Sequence, residues 1–214
     1  MAGAVVLGAG AGIGRAVAER FARGGMPVTV VARSRATLDA VAGAIASDTR
    51  DLLALTADVA DEDGLRAALD TAAARFGVPD VVVYNAALVR PDAPGELAAA
   101  GQLEAWSVNV LGALTAAAHV LPAMATRGSG TFLITGGMPE PKAGYVSLSL
   151  GKAGVRALAA MLHEQYGPSG VHVATVTVAG PVAAGGPWDP DDVAEHYWRL
   201  HHQPREVWTH EVVH

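Results

Sequence analysis

No cysteine occurs in the chain. Its absence excludes a disulfide scaffold, a cysteine-ligated zinc site and a cysteine nucleophile, and it fits a reducing compartment such as the cytoplasm. Lysine is almost missing as well: Lys142 and Lys152 are the only two, and the remaining 13 of 15 basic residues are arginines scattered along the chain. With a net charge of −6 and no basic block, a nucleic-acid surface is not expected. Charged residues make up 17% and aromatics 5%, against 51% hydrophobic residues and 25 glycines. A chain of 214 residues with this little charge buries a sizeable core, so disorder is excluded and one domain spanning residues 1–214 is expected.

The first residues, Met1-Ala2-Gly3-Ala4, carry no positive cluster and lead into an apolar run and a glycine-rich turn, so no signal peptide is expected. Ala105 to Thr126 holds no Asp, Glu, Lys or Arg over 22 residues, a length that would span a bilayer. It also holds Ser107, Asn109, His119 and Pro122, and much of its bulk is alanine and glycine. That composition reads as a buried helix built for close packing, and no membrane span is expected.

Strands and helices alternate along the chain. Apolar runs at Ala4–Leu7, Val28–Ala32, Leu52–Thr56, Val81–Tyr84, Thr131–Thr135 and Val171–Val178 read as strands, with a last one at Glu206–Val213. Helical periodicity marks Ile13–Arg23, Ala36–Ala46, a stretch from Asp61 to Phe76, Gln102–Thr126, Ser147–Tyr166 and Val193–His202. The strands are continuously apolar and do not alternate, so both their faces are buried. Separated by helices, they predict an α/β fold: a doubly wound Rossmann domain with about seven parallel strands and helices on both faces.

Gly8-Ala9-Gly10-Ala11-Gly12-Ile13-Gly14 follows the first strand and opens the first helix. Glycines at such a turn let the backbone approach a pyrophosphate, and the free amides of the helix N-terminus bind its charge. An acidic residue some 20 positions on would favour NAD by bonding the ribose hydroxyls. Ala32 stands at that distance from Gly12, and Arg33, Ser34 and Arg35 follow. Nothing there repels a 2′-phosphate and Arg33 can pair with one, which points to NADP, with NAD still open.

The spacing Gly8-x-x-x-Gly12-Ile13-Gly14 resembles that of the short-chain dehydrogenase/reductase family, and the resemblance extends over the whole chain. Asp58-Val59 resembles the family's adenine-contacting Asp. Asn85-Ala86-Ala87 resembles its Asn-Asn-Ala-Gly motif. Asn109-Val110 falls where its catalytic Asn stands, and Lys152-Ala153-Gly154-Val155 resembles its active-site Lys segment. Val182, just beyond the sixth strand, joins the expected cofactor contacts. The resemblance implies a nicotinamide dinucleotide over the strand ends and a small-molecule substrate above it. It also implies a homodimer or homotetramer through the helices around Ala105–Thr126 and Ser147–Tyr166.

The family chemistry uses a Tyr four residues before the Lys, a Ser and an Asn. Here Leu148 stands four before Lys152, and Gly136-Gly137 replace the Ser pair after the fifth strand. The segment Gly130 to Gly137 resembles an atypical branch in which the Tyr is also replaced. Three substitutes are at hand. Tyr145 lies seven residues before Lys152, roughly 10 Å along a helix axis. Thr135 offers a hydroxyl in place of the Ser, and Ser149 is turned about 100° off the lost Tyr's face. The expected catalytic set is therefore Lys152, Asn109, Tyr145 and Thr135.

Between the sixth strand and the next helix only Ala183 to Trp188 intervenes, where the family carries a mobile lid, so a more open pocket, or one completed by another subunit, is expected. His196, His201, His202, His210 and His214 crowd the tail, but no pair is spaced four apart as in a helical zinc site, and no metal is expected. Trp188, Tyr197, Trp198 and Trp208 suggest a packed or subunit-burying surface there. Two readings remain open. One is an NADP-dependent oxidoreductase acting on a small carbonyl or imine with a rearranged proton donor. The other is a non-catalytic dinucleotide-binding protein, such as a redox sensor, scaffold or partner subunit.

Overall fold

The computed structural model describes residues 2–46, 48 and 51–214. Its strands are β1 (Ala4–Leu7), β2 (Val28–Ala32), β3 (Leu52–Thr56), β4 (Val81–Tyr84), β5 (Gly130–Gly137), β6 (Val171–Val178) and β7 (Glu211–Val213). They form a seven-stranded sheet in the order β3-β2-β1-β4-β5-β6-β7, and every pairing is parallel. The α/β expectation therefore holds. The chain winds outward from β1 to β3 and then returns to add β4 on the other side of β1. That reversal leaves a crevice at the C-terminal ends of β1 and β4, where doubly wound folds bind their ligands.

The helices are α1 (Ile13–Arg23), α2 (Arg35–Ile45), α3 (Glu62–Phe76), α4 (Ala99–Trp106), α5 (Gly112–Arg127), α6 (Val146–Tyr166) and α7 (Pro190–His201). One core, with Val6, Val30, Val83 and Val176 from the sheet, packs against Ala16, Phe21, Leu38 and Val193 of α1, α2 and α7. The other, with Val5, Val82 and Phe132, packs against Leu65, Ala113, Ala117 and Val155 of α3, α5 and α6. Alternate residues of one strand thus serve opposite cores, which is why apolar residues fill both faces of the central strands.

The expected long helix near Gln102–Thr126 is longer and not uniform. Helical turns run from Ala99 to Arg127, widened between α4 and α5 by a π-helical segment, Ser107–Leu111. Tyr84 donates its hydroxyl to the Val108 carbonyl of that segment. The stretch is long and apolar enough to cross a membrane by composition, yet 56% of its most apolar window is buried inside the protein. Its small residues have a packing reason: a Cβ at Gly112 would sit 2.3 Å from the Tyr84 hydroxyl.

The tail also differs from expectation. The predicted strand Glu206–Val213 is a 3-10 turn, Arg205–Val207, followed by the short β7. Trp208 interrupts it by turning inward and stacking on His172, with ring centroids 4.7 Å apart. Gln203 then ties the corner, accepting the Trp208 indole N–H on its carbonyl and the Thr209 amide on its side chain.

Candidate active site

The glycine-rich turn lies at the crevice. Gly8 has φ of +86°, a left-handed conformation that favours glycine, and a Cβ there would lie 2.4 Å from the Ala86 amide nitrogen. At Gly14 a Cβ would meet the Gly8 carbonyl oxygen at 2.4 Å. These two glycines let β1, α1 and the end of β4 close on one another. Gly10 is different, because a Cβ there would meet nothing within 4 Å. Nothing in the protein's own packing requires glycine at that position, so the space it leaves is available to a ligand.

A cavity of about 940 Å³ opens above this turn. Gly8, Gly10, Gly12, Ile13 and Gly14 form one wall, Arg33 and Ser34 a second, and Asp58 and Val59 a third. Asn85 and Ala86 from the end of β4, Val182 after β6, and Lys152 also line it. Ala11 is exposed and lies outside the lining. Ser34 caps α2 by accepting the Thr37 amide, and Asp58 accepts the Ala60 amide, so both are held in tight turns. Arg33 is exposed and forms no ion pair among the described residues. The cavity, the open glycine and the guanidinium without an ion pair have the room and charge for a dinucleotide-sized anion.

Lys152 sits at the other end, in the second turn of α6, and is 8% exposed. Its ammonium donates to the Thr135 carbonyl at 2.6 Å. Burial, reinforced by the nearby Arg156 guanidinium, lowers its pKa from 10.5 to about 8. Arg156, one turn further on, donates to the carbonyls of Gly137 and Met138 at 2.8 and 3.2 Å. Met138 has φ of 47°, a left-handed conformation unusual for a bulky residue, and it lines the cavity directly after β5.

The Thr135 hydroxyl is already engaged. The Asn85 amide nitrogen donates to the Gly8 carbonyl at 2.8 Å, so its oxygen faces Thr135. Thr135 must then give its single proton to that oxygen, 2.8 Å away. Tyr197, 2.7 Å on the other side, must therefore be the donor to Thr135. Burial pushes the Tyr197 phenol pKa up, in keeping with a protonated donor. A directed chain results, from Tyr197 through Thr135 and Asn85 to the glycine turn, and it leaves Thr135 with no proton for a substrate.

Asn109 is 3% exposed and does not line the cavity. Its side chain bonds the Leu88 backbone, accepting from the amide at 2.7 Å and donating to the carbonyl at 3.4 Å. It anchors the strand-end loop and also packs against α6, where a Cβ at Gly151 would come within 2.6 Å of it. Tyr145 is half-buried at the N-terminus of α6 and lines the cavity mouth together with the exposed Lys142. Ser149 is turned away, accepting the Lys142 amide at 3.0 Å. Leu148 lines the wall one turn before Lys152, and the place a Cβ would take at Gly137 is 3.7 Å from the Lys152 Cε.

Three contributors escaped the sequence. Tyr197 reads there as one more tail aromatic, but it is fully buried beneath the site. Asp92 carries no signal in the sequence, but it is 2% exposed and accepts the amide and hydroxyl of Ser147 at the start of α6. Lys142 carried the only signal that could have found it, being one of two lysines. The Tyr197→Phe variant is expected to lose about 1 kcal/mol of stability, the net worth of one buried hydrogen bond. A urea unfolding curve checks this.

The tail histidines and tryptophans pack mainly within the chain. Trp198 lies 5.6 Å from the Phe21 ring and under the Arg20 guanidinium at 4.0 Å. His196 bonds His214 at 2.9 Å, and the Trp188 indole donates to the His214 carbonyl. Trp188 in turn packs so tightly on Gly180 that a Cβ there would meet its ring at 2.3 Å. The connection from β6 to α7 is thus a short braced turn with no helix over the cavity.

A family model for short chain dehydrogenases matches residues 2–185. The chain is 36% identical over 194 residues to cis-4-hydroxycyclohexanecarboxylate dehydrogenase of Sinomonas cyclohexanicum, covering 87% of this chain and 77% of that one. It is 32% identical over 179 residues to glucose 1-dehydrogenase 2 of Bacillus subtilis, covering 79% and 68%. Among solved structures, a metagenomic short-chain oxidoreductase in complex with NADP gives a TM-score of 0.91 at 26% identity, over 100% of this chain and 96% of that one. An alcohol dehydrogenase from Thermococcus sibiricus complexed with 5-hydroxy-NADP gives 0.90 at 25% identity, with the same coverage.

Proposed function

The chain belongs to the short-chain dehydrogenase family, and on that premise we propose that residues 1–214 form one dinucleotide-binding unit, an NADP(H)-dependent oxidoreductase of small carbonyl or imine compounds. One observation carries this reading: the open glycine turn at the sheet's switch point faces a 940 Å³ cavity that also holds a buried lysine. Gly8, Gly10, Gly12, Ile13 and Gly14 hold the pyrophosphate, Asp58 and Val59 flank the adenine, and Arg33 and Ser34 receive the 2′-phosphate. Asn85, Ala86, Val182 and Lys152 surround the nicotinamide half. The bound cofactor supplies or accepts hydride; the protein orients the partners and manages the proton. Asn109 acts as a positioning residue, and Tyr145 at the cavity mouth is a proton-donor candidate.

A second reading rests on a specific observation as well. Leu148 and Gly137 put no hydroxyl where the family places its Tyr and Ser, which favours a non-catalytic dinucleotide sensor or partner subunit. One experiment separates the two. NADPH and NADH are titrated by fluorescence, and NADPH oxidation is followed over carbonyls and imines, including cyclic ketones suggested by the hydroxycyclohexanecarboxylate relative. Turnover supports the enzyme. Tight NADPH binding without turnover across the panel supports the sensor, and no binding of either cofactor sinks both. In the same titration Arg33→Ala is expected to weaken NADPH about tenfold or more while leaving NADH nearly unchanged, since a charge-assisted bond is worth about 1.5–3 kcal/mol.

The partner in an oligomer is proposed to be a second copy. Leu103, Trp106, Leu111 and Leu114 on the α4–α5 side and Leu150 and Met161 on α6 are large apolar side chains left 40% or more exposed. They lie on the helices expected to pair, which supports a homodimer or homotetramer. A cysteine-free protein of this kind is placed in the cytoplasm.

A further inference from the structure

The site has lost the hydroxyls that would give a proton to substrate, so the surviving donors must be found by elimination. Thr135 has committed its proton to Asn85. Ser149 faces Lys142 and the Asn109 amide is tied to Leu88. Arg33, Ser34, Thr37 and Asp58 stand at the opposite, adenine end, around the ends of β2 and β3. Three groups remain: Lys142, Tyr145 and Lys152. The first is exposed and the second half-buried at the mouth, while Lys152 is enclosed at the cavity's inner end.

Lys152 has further qualifications. Its ammonium uses one N–H on the Thr135 carbonyl and keeps two. No carboxylate pairs with it among the described residues, and Asp58 is the only acid in the cavity lining. Gly137 leaves open the space beside its Cε, because a Cβ there would stand only 3.7 Å away. We propose that Lys152 itself hands the proton to the substrate's carbonyl oxygen, in the space left by the missing hydroxyls. The assignment rests on the oxidoreductase reading and adds to it the identity of the proton donor.

The balance is simple. With hydride supplied by a reduced nicotinamide dinucleotide, the carbonyl carbon gains a C–H bond and the π pair moves to oxygen. The oxygen takes a proton from Lys152 Nζ, so one N–H bond breaks as one O–H bond forms. Lys152 is left as a neutral amine and regains its proton from water at the cavity mouth. In the oxidative direction the neutral amine takes the alcohol proton. An amine that changes charge near pH 8 can serve both directions close to neutrality. Burial lowers that value most, and the Arg156 guanidinium on the same helix adds to it. The Thr135 carbonyl of β5 accepts one of its N–H groups, and Tyr145 and Lys142 are the other titratable groups lining this end of the cavity. Tyr197 lies behind Thr135, shielded from the cavity.

The chain's two lysines make a direct test possible. The cofactor-free protein, labelled with 13C at lysine Cε, gives two side-chain signals, and Lys142→Arg assigns them. The Lys152 signal is expected to titrate near pH 8. With saturating NADPH, kcat for reduction should fall tenfold per pH unit above the pKa that the same signal gives in the NADPH-loaded protein. The sign follows from the charge states: the ammonium donor is present below the pKa and lost above it. Arg156→Gln removes the neighbouring cation, so both the signal and the kcat limb should move to higher pH together. Lys152→Arg keeps the charge but cannot release its proton, so it should lose 100-fold or more in kcat while NADPH affinity changes less than tenfold. The proposal is overturned by turnover whose pH limb stays put when the Lys152 signal moves. It is equally overturned by a limb that Tyr145→Phe abolishes, or by a Lys152→Arg enzyme retaining a tenth of its activity. NADPH binding with no turnover in the unsubstituted protein overturns the oxidoreductase reading itself, and that outcome is distinct because no limb exists to move.

Discussion

Gly14→Ala is expected to abolish measurable NADPH binding and to cost the fold about 2–4 kcal/mol. The added methyl would stand 2.4 Å from the Gly8 carbonyl oxygen, 2.8 Å from the Ala9 Cα and 3.0 Å from the Asn85 amide nitrogen. Two of those atoms are backbone, so no rotamer change relieves the clash. Either α1 withdraws from β1, or the Gly8 turn shifts and breaks the Asn85 bond to it. Overpacking of a close-packed interior costs about 1–3 kcal/mol by itself, and a broken buried hydrogen bond adds about 1 kcal/mol. The helix N-terminus and the turn together form the anion site, so their displacement removes the cofactor's main anchor. Thermal unfolding with and without NADPH measures both effects. Gly10→Ala makes the comparison informative: its methyl meets no protein atom within 4 Å, so it should spare the fold and weaken only cofactor binding. Equal loss of stability in both variants would contradict this account.

Asp92→Ala should have a comparable effect on stability by another route. The carboxylate is 2% exposed and receives the Ser147 amide at 3.0 Å and the Ser147 hydroxyl at 3.0 Å. Its backbone also bridges the loop to α6, accepting the Val146 amide and donating to the Gly144 carbonyl. Asp92 thus closes the N-terminal end of α6 from outside the helix, where a negative charge is also favoured by the helix dipole. Truncation strands a buried N–H and a buried hydroxyl, each a penalty of about 1–3 kcal/mol. A loss of about 2–4 kcal/mol is expected in urea unfolding, with Asp92→Asn recovering part of it because an amide oxygen still accepts. Because Leu148 and Lys152 ride on the first turns of α6, the same variant should also lower NADPH affinity. A stable Asp92→Ala protein would show that α6 is held by its apolar face alone.

Much of the architecture is legible in the chain because it is written locally. Val28–Ala32 and Val171–Val178 carry no Asp, Glu, Lys or Arg and are rich in valine and other β-branched residues, as a strand buried on both faces requires, and both form as read. The glycine turn is a short-range signal too, since its meaning depends on the strand before it and the helix after it. What stayed hidden is long-range. Tyr197 meets Thr135 across 62 residues and Asp92 meets Ser147 across 55, and no periodicity records such a meeting. Thr135 illustrates the limit: its position near the C-terminal end of β5 suggested a spare hydroxyl, but the orientation of Asn85 consumes its proton. The π-helical widening at Ser107–Leu111 also left no mark, because a single inserted residue hardly disturbs a pattern made mostly of alanine.

The short braced turn between β6 and α7 has a kinetic meaning. Many enzymes of this size pace themselves by opening and closing a flap, so turnover reports a hinge rather than bond making. Trp188 wedged on Gly180 pins the two ends of the β6–α7 connection together on this side of the cavity. On the proposed oxidoreductase reading, the cavity stays in exchange with bulk water while it is occupied. On that reading, discrimination among substrates falls to the shape of the fixed wall beneath.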